Sequence, residues 1–369
     1  MTEQLMTEQL MTEQPMTGQS TAAQDLTELA SALGELLGDQ CTPERLAATE
    51  GRTDLALWDL LDRAGLTRVG LPENGGGSGG GLAEAFTVLR VAGEHGAAVP
   101  LAETSVLAGW LLAEAGLDQP VGIATTGAAD VRAERRDGGW WLSGEVSRVP
   151  SGRDAELLVF LVDGRVASVP VAGTVVVHGA NLAGEPRDRV TVDGFTDRLY
   201  DVPAGTAAQL RLRAGLSRTA LAAGALARAR ALTVRYAQER RQFGRPLSAF
   251  QAVQHQIAAL ASEEMATRSA LDGAVRACGQ RGFDDPSAAF AVAAARVQAA
   301  QASQTGAAIA HQVHGALGMT HEHALRFTTS RLWAWRSECG NEATWSEQLA
   351  DAAAATTAGD RWPLLVGGS

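Results

Sequence analysis

The sequence predicts a mainly α-helical protein with a small antiparallel β domain in its middle. Three observations carry that expectation. Alanine and glycine dominate while aromatic residues make up 5% of the chain, which favours long packed helices over a sandwich. Apolar residues recur at three- and four-residue steps before about Gly116 and again after about Ala204, the period of a helix with one buried face. Between about Val121 and Pro203, short apolar runs alternate with the turn dipeptides Asp137-Gly138, Asp163-Gly164 and Asp193-Gly194, the pattern of short strands.

In chain order, residues 1–21 read as a flexible tail. The copies MTEQL, MTEQL, MTEQP and MTGQS are polar and too short for a solenoid unit, and Met1, Met6, Met11 and Met16 are each possible starts. Residues 22–118 form an N-terminal helical domain. Leu26, Leu29, Leu33, Leu36 and Leu37 make one stripe, Thr42-Pro43 reads as a cap followed by a first-turn proline, and a later helix spans Leu82 to about His95. Residues 119–203 form the β domain, with strands expected at Trp140–Leu142, Leu157–Val162 and Thr174–Val177. Residues 204–369 form a bundle of about four long helices. One helix runs to about Glu239 and breaks at Arg240–Pro246. Another follows Ser248, which with Gln251 has capping-box spacing. A third starts at Asp285-Pro286 and runs to about Val313, and the last begins near Asn341.

Acidic residues number 42 and basic residues 31, for a net charge of −11. All the basic residues are arginine, which excludes a P-loop lysine, a Schiff-base lysine and a Ser–Lys dyad. The acidic balance argues against nucleic acid as the main partner. Cys41, Cys278 and Cys339 are too few and too widely spaced for a disulfide framework or a zinc site, and point to a reducing cytoplasm. No run approaches the roughly 18 apolar residues of a membrane span, and no basic-then-apolar leader is evident.

Three segments invite a functional reading. The glycine run 75–81 contains a literal G-x-G-x-x-G, but its flanks are helical where a dinucleotide site needs a preceding strand, so a loop is expected. His311, His314, His321 and His323, with Glu322, have ligand chemistry. Gly315 and Gly318 break the helix that would present them together, so no metal is expected. Arg240-Arg241-Gln242-Phe243-Gly244-Arg245-Pro246-Leu247, followed by Phe250-Gln251, reads either as a punctuated helix–helix turn or as an anion-and-ring site. In the second reading guanidinium pairs with pyrophosphate and phenylalanine stacks on a flat ring. Spacing alone does not decide between them.

The pattern Arg240-x-x-Phe243-Gly244-x-Pro246-Leu247-x-x-Phe250-Gln251-x-x-Gln254 resembles the acyl-CoA dehydrogenase signature. Gln312-Val313-His314-Gly315-Ala316-Leu317-Gly318-Met319-Thr320-His321-Glu322-His323 is similar to that family's Q-x-H-G-G-x-G-x-T-x-E-H segment, with Ala316 replacing the second glycine. Leu71-Pro72-Glu73 before the glycines fits as well. The resemblance covers about Leu26 to Leu349. It implies a helical N-domain, a β-barrel-like middle domain and a C-terminal four-helix bundle. It also implies FAD, an acyl-CoA substrate, α,β-desaturation and electron transfer flavoprotein as electron acceptor. By the same resemblance, Arg240, Gln242, Phe243 and Gln251 hold FAD, and Gln312, His314 and Gly315 lie against the pyrophosphate of a neighbouring subunit's FAD.

The sequence departs from the family where the chemistry occurs. Aligning Gly340 with the family glycine puts Cys339 at the base position. The alternative base position, on the long helix, reads Leu210-Arg211-Leu212-Arg213-Ala214-Gly215. The T-E-P-x-x-G-S-D loop appears as Thr125-Thr126-Gly127-Ala128-Ala129-Asp130, and the W-x-x-T segment as Val146-Ser147-Arg148-Val149. This pattern resembles the base-lacking second subunit of actinobacterial heterotetrameric (α2β2) acyl-CoA dehydrogenases of steroid side chains, whose homologous partner carries the flavin ring. The expectation is therefore a cytoplasmic subunit that completes a partner's FAD site. A self-sufficient homotetramer using Glu338 or Glu342 as base is the alternative, and a nonenzymatic nucleic-acid-binding homologue is an alternative of another class.

Overall fold

Residues 16–320, 323–357 and 359 are described by a computed structural model. Residues 1–15, with the first three copies of the repeat, lie outside the described residues, as do His321 and Glu322. The first helix begins inside the stretch expected as tail: α1 is Met16–Gln40, so the last repeat copy forms its opening turns. The glutamine and alanine that follow have good helix propensity, and the buried Leu33 and Leu37 anchor the far end.

Local chemistry sets the next boundaries. The Thr42 hydroxyl accepts from the Arg45 amide ahead of α2 (Pro43–Ala48), and Asp54 accepts from the Leu57 amide ahead of α3 (Leu55–Arg63). The Gly81 amide donates to Glu84 at the start of α4 (Leu82–His95). A π-helical stretch, Ala102–Leu107, leads into α5 (Ala108–Glu114). The glycine run is a loop folded onto its own upstream chain. Gly77 donates to Pro72, Ser78 to Arg68 and Gly79 to Leu71. These amides are spent internally and are not presented to a phosphate.

The middle domain comprises β1 (Ala124–Thr125), β2 (Ala128–Arg136), β3 (Gly139–Pro150), β4 (Leu157–Val162), β5 (Arg165–Pro170), β6 (Val175–Val177), β7 (Arg187–Thr196) and β8 (Leu199–Asp201). Two four-stranded sheets, ordered β1-β4-β5-β8 and β2-β3-β7-β6, enclose Leu142, Val146, Phe160, Ala167 and Val190. All pairs are antiparallel except β1 with β4. Asp137-Gly138 and Asp163-Gly164 are hairpin turns as expected, but Asp193-Gly194 is not. It lies inside β7, paired with Ser143 and Leu142, because a long partner strand overrides a local turn preference.

The C-terminal bundle contains α6 (Thr206–Glu239), a short β9–β10 hairpin (Arg241–Gln242 and Arg245–Pro246), α7 (Gln251–Arg281), α8 (Pro286–His314), α9 (Ala324–Trp335) and α10 (Glu342–Ala355). Asp285 and Asn341 cap α8 and α10 through their side chains. The expected Ser248–Gln251 capping box is absent. Phe250 occupies the N-cap, and Ser248 lies in a 3-10 turn whose carbonyl accepts from Gln254. At 34 residues α6 is roughly 50 Å long. Its small residues let neighbours approach closely. A Cβ on Gly224 would lie 1.9 Å from the Arg90 carbonyl of α4, and one on Gly93 would lie 2.2 Å from the Leu221 carbonyl. Fully buried Trp345 docks α10 over Gly215, where an added Cβ would come within 2.5 Å of the indole. No described helix is long and apolar enough to cross a membrane.

Candidate functional site

The two signature segments come together at one end of the bundle. Gly306 packs beside Leu226 and His314 beside Tyr236, so α6 and α8 advance in parallel and end side by side. The β9–β10 hairpin holds Phe243 at its tip with φ of 50° and 92% of its surface exposed. Phe250 meets Phe243 edge-on at 6.3 Å, and the Arg245 guanidinium lies 4.0 Å over the Phe250 ring. Arg240, Gln242, Gln251 and Gln312 are exposed around this tip, and among the described residues their side chains engage no protein partner.

His314 is placed differently from those residues. Its imidazole is 2% exposed, stacks on Tyr236 at 4.5 Å and has Nδ1 2.7 Å from the Ala310 carbonyl oxygen. It therefore faces the protein interior, while the adjoining Gln312 and Gly315 are exposed. Gly315 has φ of 61°, and an added Cβ there would meet nothing within 4 Å, leaving its backbone open to approach. Burial pulls the His311, His314 and His323 pKa values down from the ordinary imidazole value, which favours the neutral rings. Among the described residues no group of three or more His, Cys, Asp or Glu side chains could hold a metal ion.

A separate cleft of about 650 Å³ opens between the β domain and the other end of α6. Arg218 to Tyr236 is roughly 27 Å along α6 at 1.5 Å per residue. Leu210, Arg211 and Ala214, the alternative base region, line this cleft, and so do Glu338, Cys339 and Gly340. Both expected base positions thus converge on one cavity, and neither holds a free carboxylate.

Glu338 is clamped. Its Oε1 accepts from Arg187 Nε at 2.9 Å and Asn181 Nδ2 at 2.9 Å, and its Oε2 accepts from Arg187 Nη2 at 3.0 Å and Arg218 Nε at 2.8 Å. Burial alone would raise its pKa, but Arg187 and Arg218 outweigh burial and pull it down to about 2. Four donors on a carboxylate with so low a pKa leave it a poor proton acceptor at neutral pH. The clamp continues in both directions. Arg218 Nη2 donates to Glu103 at 2.7 Å, Arg187 Nη2 to Glu185 at 3.0 Å, and Arg331 Nε to Glu185 at 3.2 Å. Glu342 does not line the cleft. It sits at the start of α10, accepting from Gln301 at 3.0 Å and Arg336 at 3.4 Å.

Sequence reasoning missed the partners that make this clamp. One signal was legible: Glu103 is the single charge inside the apolar run from Val99 to Leu112. A lone acid in such a run needs a buried cation.

Residues 206–337 match the family model for the acyl-CoA dehydrogenase C-terminal domain. Acyl-CoA dehydrogenase FadE27 of Mycobacterium tuberculosis is 32% identical over 348 residues, covering 82% of this chain and 89% of that protein. The chain belongs to the acyl-CoA dehydrogenase family. Acyl-CoA dehydrogenase IpdE2 of Mycolicibacterium smegmatis is 30% identical, covering 82% of this chain and 90% of that protein. Among solved structures, a chain of the ChsE4-ChsE5 complex from Mycobacterium tuberculosis is 28% identical with a TM-score of 0.82, covering 90% of this chain and 98% of that one. A chain of the Tcur3481-Tcur3483 steroid ACAD is 27% identical with a TM-score of 0.80, again covering 90% and 98%.

FAD is the cofactor of this acyl-CoA dehydrogenase fold, and the fit of this chain to it is uneven. The bundle end offers what a dinucleotide needs: a guanidinium, amides and an exposed ring with free faces, and an open glycine backbone. The cleft does not offer what the flavin's chemistry needs beside it. Its anionic group is consumed by the arginine clamp, and the positions of the flavin-touching loop are Gly127 and Ala128 beside Thr126.

Proposed function

We propose that this chain is the partner subunit of a hetero-oligomeric, flavin-dependent acyl-CoA dehydrogenase, with no proton-abstracting base in its own cleft. The observation that carries this reading is the pair of base positions. Leu210, Arg211 and Ala214 of the one and Cys339 of the other line the cleft without a carboxylate among them, and the neighbouring Glu338 is neutralised by Arg187 and Arg218. α-Proton abstraction requires a carboxylate whose lone pairs are available in a dry site.

In this reading the bundle end serves another chain. Arg240 pairs with a phosphate of the partner's FAD, and Phe243 lies on its adenine–ribityl part. Gln242 and Gln251 hydrogen-bond to it, while Gln312 and the Gly315 backbone lie along its pyrophosphate. His314 positions this turn from inside, through Tyr236 and the Ala310 carbonyl. When bound, FAD accepts the substrate's β-hydride. This chain's part is to hold the cofactor's far end and close the shared site. The roughly 27 Å between that end and the cleft supports an assignment to two different chains' pockets. Likeness to a ChsE4-ChsE5 complex and a steroid ACAD supports a second, different subunit and a steroid CoA ester as substrate; an α2β2 assembly and attack on the steroid's side chain belong to the same proposal. Electron transfer flavoprotein is the proposed electron acceptor.

The test is flavin stoichiometry. Purified alone, the chain should be nearly colourless and inactive in dye reduction. Purified with its partner, it should give one FAD per two chains. A yellow, active assembly of this chain alone would overturn the proposal.

A further inference from the structure

We infer that the cleft, released from flavin chemistry, is a binding site for an amphipathic carboxylate: an apolar body carrying one acidic head. The inference rests on the subunit reading only in that the cleft must hold no flavin ring.

Charge is the first support. Four arginines, Arg148, Arg187, Arg211 and Arg218, line the cleft against two glutamates, Glu103 and Glu338. Arg187 and Arg218 are used by those glutamates and by Glu185. Arg148 and Arg211 are the excess. Both are exposed, and among the described residues neither has a carboxylate partner, although the molecule as a whole is at −11. Arg211 is held over the Trp345 ring at 4.9 Å, which leaves its edge N–H groups free to donate.

The second support is independent of charge. The Thr126 hydroxyl lines the same cleft, is buried at 8% residue exposure, and has no hydrogen-bond partner. A buried donor without a partner is a costly feature that a bound acceptor removes. The third is backbone placement. The β3–β7 register shifts between Val146 and Val149, and Arg148 in that bulge has φ of 54°. Bulges of this kind re-aim one side chain beside functional sites, and here that side chain is a guanidinium facing the cavity. Much of the remaining wall, including Leu107, Leu182, Leu210 and Trp333, is apolar, with Asn181, Ser337 and Cys339 as its polar members. Two guanidinium donors and a hydroxyl over such a wall match a carboxylate on a hydrocarbon body.

The test uses the full chain, with its flavin content measured in the same sample. Decanoate and the neutral decanol are each titrated against bound 8-anilino-1-naphthalenesulfonate fluorescence. Decanoate should displace the dye at concentrations at least tenfold lower than decanol. The double variant Arg148→Gln, Arg211→Gln should lose that preference while still melting cooperatively, within a few degrees of the wild type, and Thr126→Val should weaken decanoate several-fold. Equal potency of the two probes, or an unchanged preference in the double variant, would overturn the inference. A full complement of FAD in the lone chain would instead overturn the subunit reading, so the two outcomes are separable.

Discussion

Glu338 and Glu342 stand four residues apart and differ in everything that decides chemistry. The Glu338 carboxylate is 17% exposed and ion-paired to Arg187 and Arg218, whereas Glu342 is 35% exposed and meets a single arginine, Arg336, at 3.4 Å. Replacing Glu338 with glutamine leaves two buried arginines short of a counter-charge, a change that typically costs about 3–5 kcal/mol. Urea unfolding of Glu338→Gln should show a loss of that order. The partner complex carrying the variant should keep its dye-reduction rate wherever it remains folded. Glu342→Gln should change stability by less than about 1 kcal/mol, as exposed pairs do, with no effect on rate. A rate that collapses in either variant without unfolding would restore a base to this chain. The pH dependence has a definite sign. Because the folded pKa of Glu338 is depressed from 4.5 to about 2, its stabilising contribution is complete above about pH 4.5 and is lost as pH falls from there towards 2. Acid titration of the melting temperature should show that loss in the wild type and a shallower slope in Glu338→Gln.

Helix α6 shows why small residues dominate this composition. Gly224 and Gly93 let α4 and α6 cross with backbone against backbone, and no side chain in either position can be relieved by rotating. Gly224→Ala gains helix propensity, about 1 kcal/mol. It also forces a methyl into a carbonyl 1.9 Å away, and overpacking of that kind typically costs about 1–3 kcal/mol or more. The net outcome should be a lower melting temperature. Gly273→Ala on α7, where an added Cβ meets nothing within 4 Å, should be neutral or stabilising. The same contrast marks what the sequence discloses. Thr42, Asp285 and Asn341 cap helices by contacts two to three residues away, so those boundaries were legible. Asp193-Gly194 was misread because its pairing is set by β3, about fifty residues upstream. In the candidate site, the Arg240–Gln251 signature is contiguous and could be read directly. The Glu103–Arg218–Glu338 clamp joins residues 115 and 120 apart, and no local pattern reports it.

At the scale of the whole molecule, the proposed division of labour places an exposed cofactor grip at one end of α6 and an arginine-rich cleft at the other. Such a chain gives its bundle end to a partner's flavin, and the two ends should respond separately to mutation. Phe243 is 92% exposed, so Phe243→Ala removes almost no packing from this fold and should leave its own melting temperature unchanged. Ring stacking of this type contributes about 0.5–1.5 kcal/mol beyond burial, and a charge-assisted contact from Arg240 about 1.5–3 kcal/mol. In the heteromeric complex, FAD release followed by recovery of flavin fluorescence should therefore be several-fold faster for Phe243→Ala. For Arg240→Ala it should be faster by tenfold or more, with the Arg240 effect growing at low ionic strength as screening weakens. Neither variant should alter ligand binding in the cleft, and Arg148→Gln, Arg211→Gln should leave FAD release untouched. Cross-talk between the two ends would mean that the bundle end grips a cofactor lying in this chain's own cleft, and the assignment of one flavin to two chains would fail.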